Sequence, residues 1–146
     1  MNNRLKLVTV DRSNRFLVEE FCASAKSSLE TFRYFDNRPI DIIDNHLVTY
    51  ILMFSEKPVA YGHLDPEGNK VWLGVCVAEG HRGHGYGKRM MNALITYANT
   101  NHLTDIDLSV DKDNKIAIAM YNQMGFTHVQ KNDKSYFMRL KLIEER

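Results

Sequence analysis

Gly83, Gly85 and Gly87 alternate through the chain, with Arg82 and Lys88 at the two ends of the run. Before them lies an uncharged stretch, residues 71–77. After them Met91, Leu94, Ile95 and Ala98 recur at i, i+3, i+4 and i+7. A strand that enters a glycine turn and leaves as a helix presents unpartnered N–H groups and partial positive charge at the helix start. Backbone without side chains comes close to phosphate oxygens. Arg82 and Lys88 add charge-assisted hydrogen bonds. The pattern points to an anion site, of diphosphate size. The plainer alternative is a tight turn that needs glycine for its dihedral angles.

The spacing narrows the phosphate ligand. A P-loop needs Gly-x-x-x-x-Gly-Lys-Ser/Thr, but Gly87-Lys88 is followed by Arg89, with no hydroxyl for magnesium. A dinucleotide fold needs Gly-x-Gly-x-x-Gly and an acidic residue about 20 positions on. Asp105 or Asp107 would serve, yet the glycines here run Gly-x-Gly-x-Gly. His81 and His84 are spaced like metal ligands but lack a third partner, so no metal is expected. Cys76 reads first as a small buried apolar residue. His63, between Gly62 and Leu64, and Glu79, at the end of the uncharged stretch, are the candidate general bases. For each, a structural role is the alternative.

These residues need a scaffold. Residues 4–10 read as a strand, followed by a helix capped by Asp11 or Ser13, with Phe16, Leu17, Phe21 and Ala25 inward. A short helix starts at Ser27 or Ser28. A polar and aromatic loop follows, residues 33–39. Residues 46–54 and 59–64 form a hairpin around a turn at 55–58, and a second turn occupies 65–69. In residues 71–77, Val71, Leu73, Val75 and Val77 share one face and Trp72, Gly74 and Cys76 the other, none of them charged. Such a strand is covered on both sides and central. Gly74 in its middle suggests a bulge or a close approach. Residues 106–110 form the strand parallel to it. Asn114 opens a helix with Ile116, Met120 and Met124 inward, and Gly125 stops it. Residues 126–131 and 136–143 are two closing strands.

The whole chain sets outer bounds. Its 146 residues suit a single domain, 1–146, with 44% apolar and 25% charged residues. A net charge of +1 gives no field for nucleic acid or an anionic membrane. Two cysteines and a short, charged N-terminus fit a reduced cytoplasmic compartment rather than a secreted scaffold. No apolar run approaches the ~20 residues of a membrane span.

Residues 77–87 resemble the acetyl-CoA signature of the GNAT superfamily of N-acetyltransferases, Arg/Gln-x-x-Gly-x-Gly/Ala, met by Arg82, Gly85 and Gly87. A second block agrees. Residues 114–121, closing on Gly125-Phe126, are similar to the family's Asn-x-x-Ala-x-x-Leu-Tyr…Gly-Phe segment, with Met120 for leucine. The resemblance is good from residue 59 onward; before that, only the element order agrees. Glu79 stands where many members carry proline.

The resemblance implies a single α/β domain. Its sheet is mixed and mostly antiparallel, of six or seven strands, with a V-shaped splay between two central parallel strands and helices on both faces. It implies acetyl-CoA as co-substrate, no metal, and direct transfer of acetyl to a primary amine of a small molecule. Val75, Cys76 and Val77 would line the pantetheine arm, with the backbone of Val75 and Val77 bonding it. Residues Arg82, Gly83, His84, Gly85, Tyr86, Gly87 and Lys88 would hold the pyrophosphate. Asn114 and Ala117 would touch the arm, and Tyr121 would lie by the thioester sulfur. Arg33, Tyr34 and Arg38 would overhang the acceptor cleft and suit an anionic or sugar-bearing amine, such as a nucleotide-linked amino sugar. A homodimer stays open. The alternatives are a non-catalytic acyl-CoA sensor on the same fold and a nicotinamide-linked oxidoreductase.

Overall fold

A computed structural model describes residues 4–30 and 32–142 of the chain. Seven strands form one sheet: β1 Leu5–Thr9, β2 Val48–Phe54, β3 Lys57–Glu67, β4 Lys70–Val77, β5 Asp105–Asp111, β6 Thr127–Lys131 and β7 Ser135–Lys141. Their spatial order is β1-β2-β3-β4-β5-β7-β6. Every neighbouring pair is antiparallel except β4 and β5, which run parallel, as a strand–helix–strand crossover requires. Helix α1, Phe16–Ala25, covers one face with Ile51, Tyr61 and Cys76 beneath it. Helices α2, Tyr86–Thr100, and α3, Lys115–Gln123, cover the other, over Leu64, Leu73, Ile106, Leu108 and Met138. The expected class, strand count and parallel central pair all stand.

Several local expectations are corrected. In α1 the inward residues are Val18, Phe21 and Ala25, while Phe16 is 59% exposed. In α3, Ile116 is 88% exposed and Tyr121 is buried. The Asn114 side chain caps the helix, accepting from the Ala117 N–H at 3.3 Å, and the buried face runs through Tyr121, one residue on from the expected stripe. The turn placed at 65–69 shrinks to Gly68-Asn69, because β3 runs on through Asp65 and Pro66. Pro66 is tolerated there because β2 stops pairing at Leu64, so the missing N–H faces no neighbour. The turn at 55–58 reduces to Ser55 and Glu56, both at positive φ, and Lys57-Pro58 belong to β3. The short helix after α1 is a 3-10 turn, Lys26–Glu30, and a second one, Ile40–Asn45, was not expected. Ile143, expected to end the last strand, lies outside the described residues.

The parallel seam is narrow. Trp72 and Asp107 are the one paired position between β4 and β5 among the described residues. Asp107 is 2% exposed, and its carboxylate accepts from Arg139 Nε at 2.7 Å and Nη2 at 3.0 Å, with Lys70 Nζ at 3.6 Å. A buried carboxylate is tolerated when it is paired and hydrogen-bonded in this way. Arg139→Leu is expected to cost about 2–3 kcal/mol, since removing one member of a buried pair strands the other and Lys70 compensates only in part. Lys70→Ala, which removes the longer and more exposed contact, should cost under ~1 kcal/mol. Urea unfolding of both variants checks this; equal losses would show that Arg139 is not what holds Asp107.

Candidate active site

Past the Trp72–Asp107 pair the two strands separate. β4 continues to Val77 and β5 to Asp111 with no further pairing between them among the described residues. Counting from the pair puts Asp111 level with Cys76. The Ala78 N–H bonds the Val59 carbonyl on the β3 side at 2.9 Å. Backbone polar groups alternate sides along a strand, so those of Val75 and Val77 point away from β3, into the opening. This is the V-shaped splay expected, with edge groups of β4 free to pair with an extended ligand.

The glycine loop stands at the wide end of the V. Gly85 is the residue before α2, with φ +80°, and no side chain caps the helix start. A Cβ added at Gly83 or Gly85 would meet no atom within 4 Å, so the loop borders open space. The free N–H groups, that space and the exposed Lys88 beside it fit a diphosphate. Arg82 is already engaged: its Nη2 donates to Ser28 Oγ at 2.6 Å. The His84 and Tyr86 rings stack at 5.4 Å.

Tyr121 projects from α3 and is 8% exposed. Burial first, and then the Cys76 thiol, push its phenol up to about 12. The Cys76 thiol is likewise pushed up to about 12, by burial first, so it stays protonated and un-nucleophilic at neutral pH. Asn114 spends its side-chain oxygen on capping α3. Glu79 caps too: its Oε1 accepts from the Ser27 N–H at 2.9 Å, which lowers its pKa.

The residues proposed to meet an acceptor are found on the α1 face. Arg33 makes a bidentate pair with Asp111, at 2.9 and 3.1 Å, and so bridges the V at the level of Cys76. Arg38 lies over the Tyr34 ring at 4.3 Å. The Tyr34 hydroxyl donates to Asp65 Oδ2 at 2.6 Å and sits 2.7 Å from His46 Nε2. His46 Nδ1 is 2.8 Å from Thr49 Oγ1. His63 packs under this group, its ring 4.3 Å from Tyr34 and 4.5 Å from His46. The bulge expected at Gly74 does not occur, because the β3–β4 register runs unbroken from Ala60–Val77 to Glu67–Lys70. Gly74 is instead a close approach: a Cβ there would lie 2.6 Å from His63 Nε2. Tyr61, His46, Asp65 and Asp111 escaped the sequence reading. Alternation along β3 puts Tyr61, His63 and Asp65 on one face, a signal hidden by reading Asp65 as a turn residue.

Residues 14–126 match the Acetyltransferase (GNAT) family, and the chain belongs to that family. An uncharacterized N-acetyltransferase of Bacillus subtilis, YobR, is 33% identical over 58 residues, 40% of this chain. That alignment spans about a quarter, 24%, of YobR. Among solved structures, YncA of Salmonella typhimurium, a putative acetyltransferase with acetyl-CoA, superposes with a TM-score of 0.78 at 17% identity, over 98% of this chain and 96% of that one. The PaiA N-acetyltransferase of Thermoplasma acidophilum, in complex with coenzyme A, gives 0.76 at 12% identity over 94% and 98%. The spermidine N-acetyltransferase of Vibrio cholerae, in complex with coenzyme A and spermine, gives 0.74 at 16% identity over 96% of each. These structures share the fold. Among the described residues no helix is long and apolar enough to cross a membrane, and no three His, Cys, Asp or Glu side chains group to hold a metal.

The two histidines of the α1 face carry a pH signature. Burial lowers His46 to about 4 and His63 well below its ordinary value. Each therefore binds a proton in the unfolded chain, near pH 6.5, that it refuses in the folded one. Their contribution to stability is complete above pH 6.5 and is lost as pH falls toward 4 and below. The melting temperature should drop over that interval, with a slope approaching two protons. The double variant His46→Gln/His63→Gln should flatten it; an unchanged slope would assign the acid sensitivity elsewhere.

Proposed function

We propose that this chain is an acetyl-CoA-dependent N-acetyltransferase that moves acetyl directly onto a primary amine of a small-molecule acceptor. The observation that carries this reading is the parallel pair held at one position and open beyond it, with a glycine loop and an uncapped helix start at the wide end. Family membership supports it. Val75 and Val77 offer backbone to the pantetheine arm. The amides from Arg82 to Lys88, with Lys88 itself, hold the pyrophosphate. Asn114 and Ala117 border the arm where α3 begins. Asp107, which a nicotinamide fold would want for a ribose, is occupied by Arg139 and Lys70.

The reaction joins the amine nitrogen to the acetyl carbon and breaks the carbon–sulfur bond, leaving a thiolate; the nitrogen gives up a proton as the amide forms, and the departing sulfur takes up a proton from solvent to become the thiol. Tyr121 donates a hydrogen bond to that sulfur. Its proton stays on the phenol: moving it from a group at about 12 to a thiol near ~8.5 is uphill by about 5 kcal/mol. Tyr121 therefore acts by electrostatic stabilisation at the barrier.

The acceptor must lose its own proton first. For an alkylamine with a lysine-like pKa this costs about 4 kcal/mol at pH 7. Glu79 is tied to Ser27 and His63 is held far below neutrality, so desolvation of the ammonium by the same buried surroundings lowers its pKa, and the proton leaves to bulk water as the acceptor enters. The acceptor approaches beneath residues 33–38. Asp111 neutralises Arg33, which leaves Arg38 beside Tyr34 as the cation favouring an anionic or sugar-bearing amine.

Incubation with acetyl-CoA and a panel of amino sugars, polyamines, amino acids and peptides, read by thiol release, should show turnover. Absence of turnover with tight coenzyme A binding would make the chain a sensor. Tyr121→Phe keeps the ring and should lower kcat roughly 10²–10³-fold, with melting temperature and coenzyme A affinity unchanged. Activity within a few-fold of wild type would remove Tyr121 from the chemistry.

Gly87→Ala tests the arm. Gly85 is unsuitable, since its φ of +80° strains any branched replacement. A Cβ at Gly87 meets Val77 at 3.5 Å and Met120 at 3.9 Å, ordinary contacts that spare the fold while filling the space between β4 and α3. Alanine also satisfies the family signature at this position, so coenzyme A affinity by calorimetry should stay within a few-fold of wild type with thermal stability kept or raised; a large loss would show that the cofactor needs the space directly at Gly87.

A further inference from the structure

Tyr61 and His63 stand two residues apart on β3, so their side chains share the α1 face. Both are buried, and the Tyr61 hydroxyl lies 2.6 Å from His63 Nδ1. This is the one hydrogen bond of that hydroxyl among the described residues. If Tyr61 accepted here, its own O–H would be left buried and unsatisfied, which folded proteins avoid. Tyr61 therefore donates and Nδ1 accepts. A neutral imidazole that accepts at Nδ1 carries its proton on Nε2.

Nε2 faces β4. It lies 2.6 Å, and Cε1 2.7 Å, from where a Gly74 Cβ would be, so the glycine makes room for this edge of the ring. Among the described residues Nε2 has no hydrogen-bond partner, and no fully enclosed side-chain nitrogen or oxygen lacks one. Nε2 thus reaches accessible space, although the residue as a whole is 2% exposed. Gly74 lies between Trp72, where the V closes, and Val75, whose backbone faces the opening. Tyr34, His46 and Phe32 ring the other side of the imidazole. Burial, then His46 and Arg38, disfavour its charged form.

We propose that Tyr61 fixes His63 as the Nε2–H tautomer, and that His63 then serves as a hydrogen-bond donor to the thioester carbonyl oxygen as it gains negative charge. This rests on the acetyl-transfer reading above. Both ring nitrogens are committed: Nδ1 to Tyr61 and Nε2 to its own proton. His63 has no lone pair to offer an ammonium and is not the base. Tyr61 is a positioning residue, acting through the ring it orients.

Two measurements test this. Long-range 1H–15N spectra of the 15N-labelled protein report the tautomer directly. Nδ1 should show the shift of an unprotonated nitrogen and Nε2 that of a protonated one, from pH 8 down to pH 5.5, and Tyr61→Phe should release this preference. An Nδ1–H tautomer, or a His63 that titrates near its ordinary value, overturns the proposal. In turnover assays His63→Leu, which removes the donor, should lower kcat about 10²-fold with the KM for acetyl-CoA unchanged. His63→Gln, whose amide restores a donor, should recover most of that loss. Equal losses in the two variants overturn the donor role. If the wild-type protein acetylates no amine, the acetyl-transfer reading fails and takes the catalytic half with it. The tautomer half still stands or falls on the spectra.

Discussion

A buried carboxylate decides the shape of this molecule. Asp107 sits at the closed end of the V, gripped by Arg139 from β7 and approached by Lys70 from the start of β4. One residue thereby joins the two halves of the sheet at the only register position they share among the described residues. Joined there and nowhere further along, β4 and β5 can part, and parting exposes the backbone edge that an extended ligand would pair with. Had the parallel ladder continued to Val77 and Asp111, those groups would be spent on each other. The cleft depends on pairing that stops early.

Around that cleft, burial drives four titratable groups toward their neutral forms. Tyr121 and Cys76 are pushed up, and His46 and His63 are pushed down, with burial the largest cause in each case. Formal charge survives at the margins, where it is paired or exposed: Arg33 with Asp111, Arg82 on Ser28, Lys88 in the first turn of α2. A reaction that turns an ammonium into a neutral amide and a thioester into a thiol belongs in such a place. Its reactants must shed charge, and the surroundings already favour that direction.

Much of this was legible in the residue order, and the misses have physical causes. The strand, glycine loop and helix at 71–98 were readable because each has a strong local signature: no charge, repeated glycine, 3.6-residue periodicity. The inward faces of α1 and α3 were misassigned by a residue or two because large apolar residues, Phe16 and Ile116, lie where tertiary packing leaves them in solvent. Periodicity alone does not weigh a capping bond such as Asn114 to Ala117 against side-chain size. Gly74 is legible as a bulge or a close approach, but the group it approaches is not. What it accommodates is the ring of His63, eleven residues away in sequence and directly opposite in the ladder. The Tyr34–Asp65–His46 network was out of reach, since it joins a loop, a 3-10 turn and a strand end that only folding brings together.

The V is also a seam in the polypeptide. β1 to β4 with α1 and α2 come from the first hundred residues, and β5 to β7 with α3 from the rest. Each portion has its own antiparallel ladder, and a short connection after α2 joins them. Across the seam run one strand pairing, the contacts of Asp107, the Arg33–Asp111 bridge and shared apolar packing. A molecule lying along the V touches both portions at once and acts as mortar between them. Its binding adds to the cohesion of the whole fold by an amount that grows with the logarithm of its concentration above Kd, and without it the two portions are held by the apex, the Arg33–Asp111 bridge and their apolar packing.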